Sequence, residues 1–285
     1  MEQAERLAWL IDYLLDENPR FAAARRRGEL SVPEAEDERF RLYRSLVNVR
    51  PPRAVEASYL EVEDELLQGR RDARPIATLD DAEKVGGELV WQGDITTLAV
   101  DAIVNAANSR MLGCFSPCHG CIDNAIHTAA GVRLRLACNE HMLARAERLG
   151  ERAPLLRSGR KDGIEFPTGE AMTTPGFNLP AGHVIHTVGP IVGGTAPTAR
   201  NRADLAGCYR SCLDIAIERG FSSLAFCCIS TGVFRFPNRE AARIAIDTIR
   251  SRRAEARAAG VPFPTVVFNV FTDGDLGIYR DLLLR

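Results

Sequence analysis

Three cysteines and a histidine crowd into eight residues of this chain, Cys114, Cys118, His119 and Cys121. Thiolate and imidazole are the donors that borderline-soft zinc prefers. A closed four-ligand site usually draws two ligands from each of two separated hooks, because one short loop cannot wrap a tetrahedron. Here every donor sits on one loop, and the side chains of the neighbours Cys118 and His119 tend to diverge. The spacing therefore favours three ligands, Cys114, His119 and Cys121 in the pattern C-x4-H-x-C, with a fourth position left open. A closed site of three cysteines and the histidine, or a loop of reduced thiols without metal, are the weaker readings. Asn108 stands before the loop and Asp123 after it, fifteen positions apart, close enough in sequence for the loop to fold back and bring them together.

Two further stretches carry polar chemistry. Asp94 follows Gly93 directly after an apolar run, where a carboxylate either accepts hydrogen bonds from a ligand amino group or caps a turn of its own backbone. Ser230, Thr231, Gly232, Val233 and Phe234 follow the apolar stretch 223–229 and precede a helical pattern. Backbone N–H groups in such a loop can cradle a diphosphate, and Gly232 permits close approach. An ordinary turn is the plainer reading. The chain has no Gly-x-Gly-x-x-Gly and no Walker A lysine, which argues against dinucleotide redox binding and NTP hydrolysis. Asp123 can face the loop or cap the helix that begins there. His127, one turn later, can face either the site or the core; His183 and His186 lie on an apolar strand and read as structural.

These residues need a frame. Short apolar runs at 88–92, 101–105, 183–188, 223–229 and 265–271 alternate with helical patterns at 122–130, 132–149, 201–219, 238–255 and 274–284. Such alternation predicts a largely parallel sheet covered by helices on both faces. Before it stand three amphipathic helical patterns: 2–16, a second opening at Pro33, and a third ending near Gly69. They read as an extension that packs on the α/β unit and serves as scaffold, joined to it by a charged linker at 70–85. The Gly-, Pro- and Thr-rich segment 150–182 reads as loop with one short strand.

Several of these motifs, in this order, resemble the macrodomain family, an ADP-ribose-binding α/β module. They are Gly93-Asp94-Ile95-Thr96, Val104 to Asn108, Gly120 to His127, Asn178-Leu179-Pro180, Val184 to Pro190, and Ser230 to Phe234. Most members run from the Asn-Ala-Ala-Asn motif to the aspartate through a short polyglycine loop. The inserted Cys/His segment looks instead like the zinc-containing macrodomains of microbes. The resemblance covers about residues 85 to 285. It implies a three-layer α/β/α macrodomain over 85–285, with a mixed, largely parallel central sheet, behind an N-terminal helical extension and linker at 1–84.

The implied activity is zinc-dependent hydrolysis that removes mono-ADP-ribose from modified protein side chains, with cleavage at the anomeric carbon of the distal ribose. By resemblance Asp94 takes the adenine amino group, with the Ile95 backbone at the ring. Asn108 binds the distal ribose, Asp123 orients water or substrate, and 230–234 hold the diphosphate with Phe234 towards the ribose. Phe271 falls where the family often places an aromatic against adenine. A Zn2+ on Cys114, His119 and Cys121 would either lower the pKa of a bound water or hold the ribose hydroxyls. Family analogy adds a sirtuin-type ADP-ribosyltransferase and a lipoyl-carrier target as partners. A non-catalytic ADP-ribose reader and an O-acetyl-ADP-ribose deacetylase are the alternatives.

Composition narrows the rest. At 285 residues and 46% hydrophobic content, a sizeable core is expected. A formal net charge of -2 offers no basic field for a nucleic-acid backbone. No apolar run is long enough to span a bilayer, and the acidic start is unlike a signal peptide, so a cytoplasmic protein is expected. Of the eight cysteines, the groups at 114–121 and at Cys227-Cys228 are poorly spaced for a disulfide framework.

Overall fold

The computed structural model describes residues 1–151 and 163–285. Among these residues seven strands form one sheet in the order β1-β2-β7-β6-β3-β5-β4. These are β1 (Glu83–Val85), β2 (Glu88–Gln92), β3 (Ala102–Ala107), β4 (Ala171–Pro175), β5 (His183–Val188), β6 (Ser223–Phe226) and β7 (Thr265–Val270). The pairs β2/β7, β7/β6, β6/β3 and β3/β5 are parallel, while the edge strands β1 and β4 run antiparallel to their neighbours. Central β3 is apolar and buried along nearly its whole length (Ala102, Ile103, Val104, Ala107), as a strand covered on both faces must be. The covering helices are α5 (Ile122–Ala130), α6 (Val132–Leu149), α7 (Ala199–Glu218), α8 (Asn238–Ala258) and α9 (Asp273–Leu283). This is the largely parallel, covered sheet that the alternating pattern predicts, in the mixed three-layer α/β/α arrangement that the family resemblance implies.

The N-terminal extension contains four helices among the described residues: α1 (Gln3–Glu17), α2 (Pro19–Arg26), α3 (Glu36–Val49) and α4 (Ala57–Asp72). Helix α2, absent from the three helical patterns read in the sequence, starts at Pro19, because proline suits the first helical position and the Asn18 side chain caps it by accepting from the Arg20 amide at 3.0 Å. The extension has its own apolar centre (Leu10, Ile11, Tyr43, Tyr59, Leu66), which Val132 of α6 completes. It docks on the N-terminus of α6 through the buried Glu63. That carboxylate accepts from Tyr43 at 2.6 Å, Tyr59 at 3.0 Å and the Val132 amide at 2.8 Å. Asn178, from the Asn-Leu-Pro element, accepts from Gln68 at 3.0 Å and donates to Asp64 at 2.9 Å and to the Ala130 carbonyl at 3.1 Å.

The linker expected at 70–85 is shorter than the sequence suggests. Helix α4 continues to Asp72, Ala77 pairs with Leu98, and β1 adds an edge strand whose Glu83 stands opposite Val90. Three residues reading Glu-Lys-Val are too short to show alternation, and charge on an edge strand is how sheets avoid further pairing. Strand β6 ends its ladder at Phe226, three residues before the end of the apolar run, and the buried Cys227 and Ile229 carry the chain towards the site. The short strand expected within 150–182 is β4; residues 152–162 of that segment lie outside those described.

Candidate active site

Asn108 follows β3 immediately and folds the chain back on itself. Its Oδ1 accepts from the Arg110 amide at 3.0 Å, an Asx-turn, while Nδ2 donates to the Gly113 carbonyl at 3.0 Å and to Asp123 Oδ2 at 3.3 Å. Gly113 has φ +79°, and a side chain there would meet the His127 ring at 2.9 Å, so only glycine lets the loop settle on that histidine. Asp123 lies in the first turn of α5, but Cys121 is the cap residue and no side chain caps the helix. The capping alternative for Asp123 is thereby set aside. Its carboxylate turns inward, buried to 4% exposure, with Oδ1 accepting from Asn105 Nδ2 at 2.8 Å. Burial pushes it up to about 6, against the donation from Asn105 and the positive charge of Arg135.

His127 faces this same buried layer, with Nε2 3.6 Å from Asp123 Oδ1. The contact is not an ion pair, because burial, reinforced by Arg135, holds the imidazole well below its usual value and therefore neutral.

In the loop, donor atoms of Cys114, His119 and Cys121 all lie within 4.8 Å of one another, with Cys114 Sγ 3.7 Å from His119 Nδ1. Cys118 is outside this group. Its backbone sits at φ +51°, its amide donates to Asn48 Oδ1 at 2.9 Å, and its thiol points to the Arg41 carbonyl at 3.3 Å. Burial raises the Cys121 thiol to about 11.

Across the cleft, Ser230 takes φ +66° and Arg235 φ +57°. The loop closes on itself through Phe236 N to Ser230 O at 3.0 Å and Arg235 N to Gly232 O at 3.0 Å. Among the described residues nothing accepts from the amides of Gly232, Val233 or Phe234. They are free to serve an anion in the manner of a backbone nest. Gly189, at the end of β5, allows this loop in, since a side chain there would strike Ser230 Oγ at 2.0 Å. At the far end, Asp94 Oδ1 caps the helical turn Ile95–Thr97, accepting from Thr96 N at 3.0 Å and Thr96 Oγ1 at 2.7 Å. The turn-capping alternative is thus real for one oxygen. Its Oδ2 remains with Arg74 at 3.9 Å on a side chain 45% exposed.

One cleft of about 1020 Å³ gathers all of these: Asp94, Ile95, Asn108, Cys114, His119, Cys121, Asp123 and the whole of 230–234 line it. Phe271, 74% exposed, stands on its rim. The volume sits at the upper end of the roughly 300–1,000 Å³ typical of small-ligand sites. His186 is fully buried, accepting from Asn105 Nδ2 at Nδ1 (3.1 Å) and approaching Thr174 Oγ1 with Nε2 (3.0 Å), whereas His183 packs on Phe221 with centroids 4.6 Å apart. Two contributors escape the sequence reading. Asn105, read only as the first residue of the Asn-Ala-Ala-Asn motif and given no role, bridges Asp123 and His186 from inside β3. Arg44 reaches the cleft from α3 of the extension, and a lone arginine on a remote helix carries no signal at all.

A mixed seven-stranded α/β/α sandwich whose cleft lies between the loops after β3 and β6 is the architecture of a macrodomain. The Macro domain family model matches residues 104–245, and the chain belongs to that family. Within it, the chain is 46% identical to the protein-ADP-ribose hydrolase of Treponema medium, covering 99% of this chain and 100% of that protein. It is 45% identical to the protein-ADP-ribose hydrolase of Staphylococcus aureus (strain Mu50 / ATCC 700699), over 90% of this chain and 89% of the relative. Among solved structures, the Trypanosoma brucei macrodomain in complex with ADP-ribose superposes with a TM-score of 0.58 at 27% identity, covering 84% of this chain and 94% of that one.

Proposed function

We propose that this protein is a hydrolase that removes mono-ADP-ribose from modified protein side chains, with 1–84 as its helical extension and 85–285 as the catalytic macrodomain. The observation that carries the reading is the convergence, in one cleft, of the 230–234 amides, Asp94, and the Asn108–Asp123 pair beside the Cys114, His119 and Cys121 donors. The naming of two close relatives as protein-ADP-ribose hydrolases supports it.

In this reading Asp94 and the Ile95 amide receive the adenine, and the amides of 232–234 receive the diphosphate. The distal ribose then lies towards Asn108 and Asp123. In the net reaction, water adds to the anomeric carbon and the bond to the acceptor side chain breaks. The hydroxyl stays on ADP-ribose, and the remaining proton leaves with the acceptor. Asp123 Oδ2 makes only the longer contact with Asn108, so it has acceptor capacity for a proton of that water or of a ribose hydroxyl. Asn108, tied to Gly113 and Arg110, keeps the carboxylate from swinging away.

The donor set of Cys114, His119 and Cys121 fits a Zn2+, being two thiols and an imidazole on three converging side chains with Cys118 turned aside. Bound there, the ion would supply Lewis acidity to a water or to ribose hydroxyls at the open position.

The deciding experiment offers zinc-loaded and metal-stripped protein to substrates carrying ADP-ribose on serine, aspartate or glutamate, a lipoyl-carrier protein among them, with mass spectrometry of both products. Release of free ADP-ribose and an unmodified acceptor is expected. Binding without release makes the protein a reader, and release of acetate from O-acetyl-ADP-ribose alone makes it a deacetylase.

A further inference from the structure

Helix α3 of the extension and α5 of the macrodomain face each other through two pairs, each spaced by one helical turn. Arg44 meets Asn124, with Nε at 3.0 Å and Nη2 at 2.7 Å from its Oδ1, and Asn48 meets Thr128 at 3.2 Å. Residues at i and i+4 share a helix face, so the double pairing locks the register between the two helices. Both rungs also grip the loop between Cys114 and Cys121. Arg44 Nη2 holds the His119 carbonyl at 2.9 Å, Asn48 Oδ1 holds the Cys118 amide at 2.9 Å, and Asn124 Nδ2 holds the Ser116 carbonyl at 3.0 Å. Asn48 and Asn124 are 1% and 0% exposed, so neither can trade these partners for water. On the strand side, Arg135 of α6 donates to the Leu112 carbonyl at 2.7 Å and to the Val47 carbonyl of α3, tying the loop's entry to the same helix.

We propose that Arg44 and Asn48 are positioning residues for the active-site loop: the extension decides which side chains of 114–121 face the cleft, turning Cys118 out and His119 in. Without the α3 face, the left-handed residue Cys118 loses the one partner of its amide and the His119 carbonyl loses Arg44, which leaves the loop to the Asn124 contact with the Ser116 carbonyl. The inference concerns the loop's conformation and leans on the proposed zinc site only for what the loop would hold.

Two readouts test it on the full chain, with Glu38→Ala on the exposed side of α3 as control. In metal-stripped protein, Arg44→Ala should speed amide hydrogen exchange across 114–121 by roughly tenfold or more, leaving 102–107 unchanged. In zinc-loaded protein the same variant should weaken zinc, measured against a chromophoric chelator, by about 10- to 100-fold, the usual cost of losing a residue that orients ligands. Arg44→Lys, able to keep one of the two acceptors, should fall between. If Arg44→Ala does not fold, Arg44→Lys and Asn48→Ser carry the same readouts. Exchange in 114–121 within twofold of wild type in the folded variants overturns the proposal. A wild-type chain that retains no zinc, with exchange still accelerated in the variants, removes the metal reading and leaves the clamp standing.

Discussion

Two clusters of the same donor types stand out among the described residues. Cys114, His119 and Cys121 meet in the loop at the cleft, and His127, Cys138 and His186 meet beneath it, each set with its donor atoms within 4.8 Å. Distance alone cannot tell them apart; surroundings can. In the buried set, His186 is engaged at both nitrogens, by Asn105 and Thr174, and burial holds it down to about 3 while holding the Cys138 thiol well above its ordinary range. His127 has no hydrogen-bond partner at either ring nitrogen and is kept neutral by burial beside Arg135, so what sets this cluster apart is its enclosure in the core. In the loop set, His119 is exposed and all three side chains border the cleft. A metal site needs donors that are open to the ion as well as close to one another.

The largest expected effect breaks that contrast directly. Purified wild-type protein should carry about one zinc per chain, Cys121→Ser should carry almost none and lose turnover, and Cys138→Ala should keep its zinc. Elemental analysis of the three settles it, and zinc lost from Cys138→Ala but kept in Cys121→Ser would exchange the roles of the clusters. Next, Asp123→Asn should cut turnover by roughly 100-fold or more while affinity for free ADP-ribose moves by less than about tenfold, since the amide keeps the shape and the short contact with Asn105 but cannot take a proton and turns an N–H2 to the longer Asn108 contact. Calorimetry beside a de-ADP-ribosylation assay reads both numbers.

The buried set should answer to protons instead. The folded pKa of His186 lies below its unfolded value of about 6.5, so the unfolded chain binds the extra proton between the two. The stability this residue contributes is therefore present above about pH 6.5 and is lost as pH falls towards 3. His186→Gln should flatten the fall of unfolding free energy between pH 6 and 4 by about 1.4 kcal/mol per pH unit relative to wild type. Taking the difference between variants removes the opposite trend from Asp123, whose folded value is raised. Parallel curves for the two proteins would mean that His186 titrates as if exposed.

How much of the molecule is legible in its sequence depends on the physics of each element. Strands β2, β3, β5 and β7 and all five macrodomain helices can be read because their apolar period is long enough to register. The edge strand β1 and the helix α2 cannot, being three and eight residues long. The site residues are legible where chemistry clusters in sequence, as at 114–121 and 230–234. They are hidden where the fold brings in a distant chain, as with Arg44, 75 positions before His119. Asp94 is a middle case. Its position after Gly93 allows a turn cap or a ligand acceptor, and its two carboxylate oxygens accommodate both. Asp94→Ala should accordingly weaken ADP-ribose by about tenfold, or 1.4 kcal/mol, with zinc content unchanged.

The smallest expected effect gives the finest resolution. Cys118 sits between two proposed ligands in sequence, so a reading by spacing alone could have given it the metal. Its structural contribution runs through the backbone: the amide on Asn48 and the left-handed φ of +51° are both retained when the side chain changes to serine. The thiol itself offers only a weak hydrogen bond to the Arg41 carbonyl, which a hydroxyl can replace. Cys118→Ser should therefore hold its zinc and its turnover within about twofold of wild type and shift the melting temperature by no more than about 2 °C. A loss of zinc comparable to Cys121→Ser would mean that the loop rotates on binding the ion, pulling the Cys118 amide off Asn48. In that event the hydrogen exchange of 114–121 should rise, not fall, when zinc is added to the wild-type protein. Measuring stoichiometry and exchange on the same sample separates a loop built in advance for three ligands from one that rearranges to recruit a fourth.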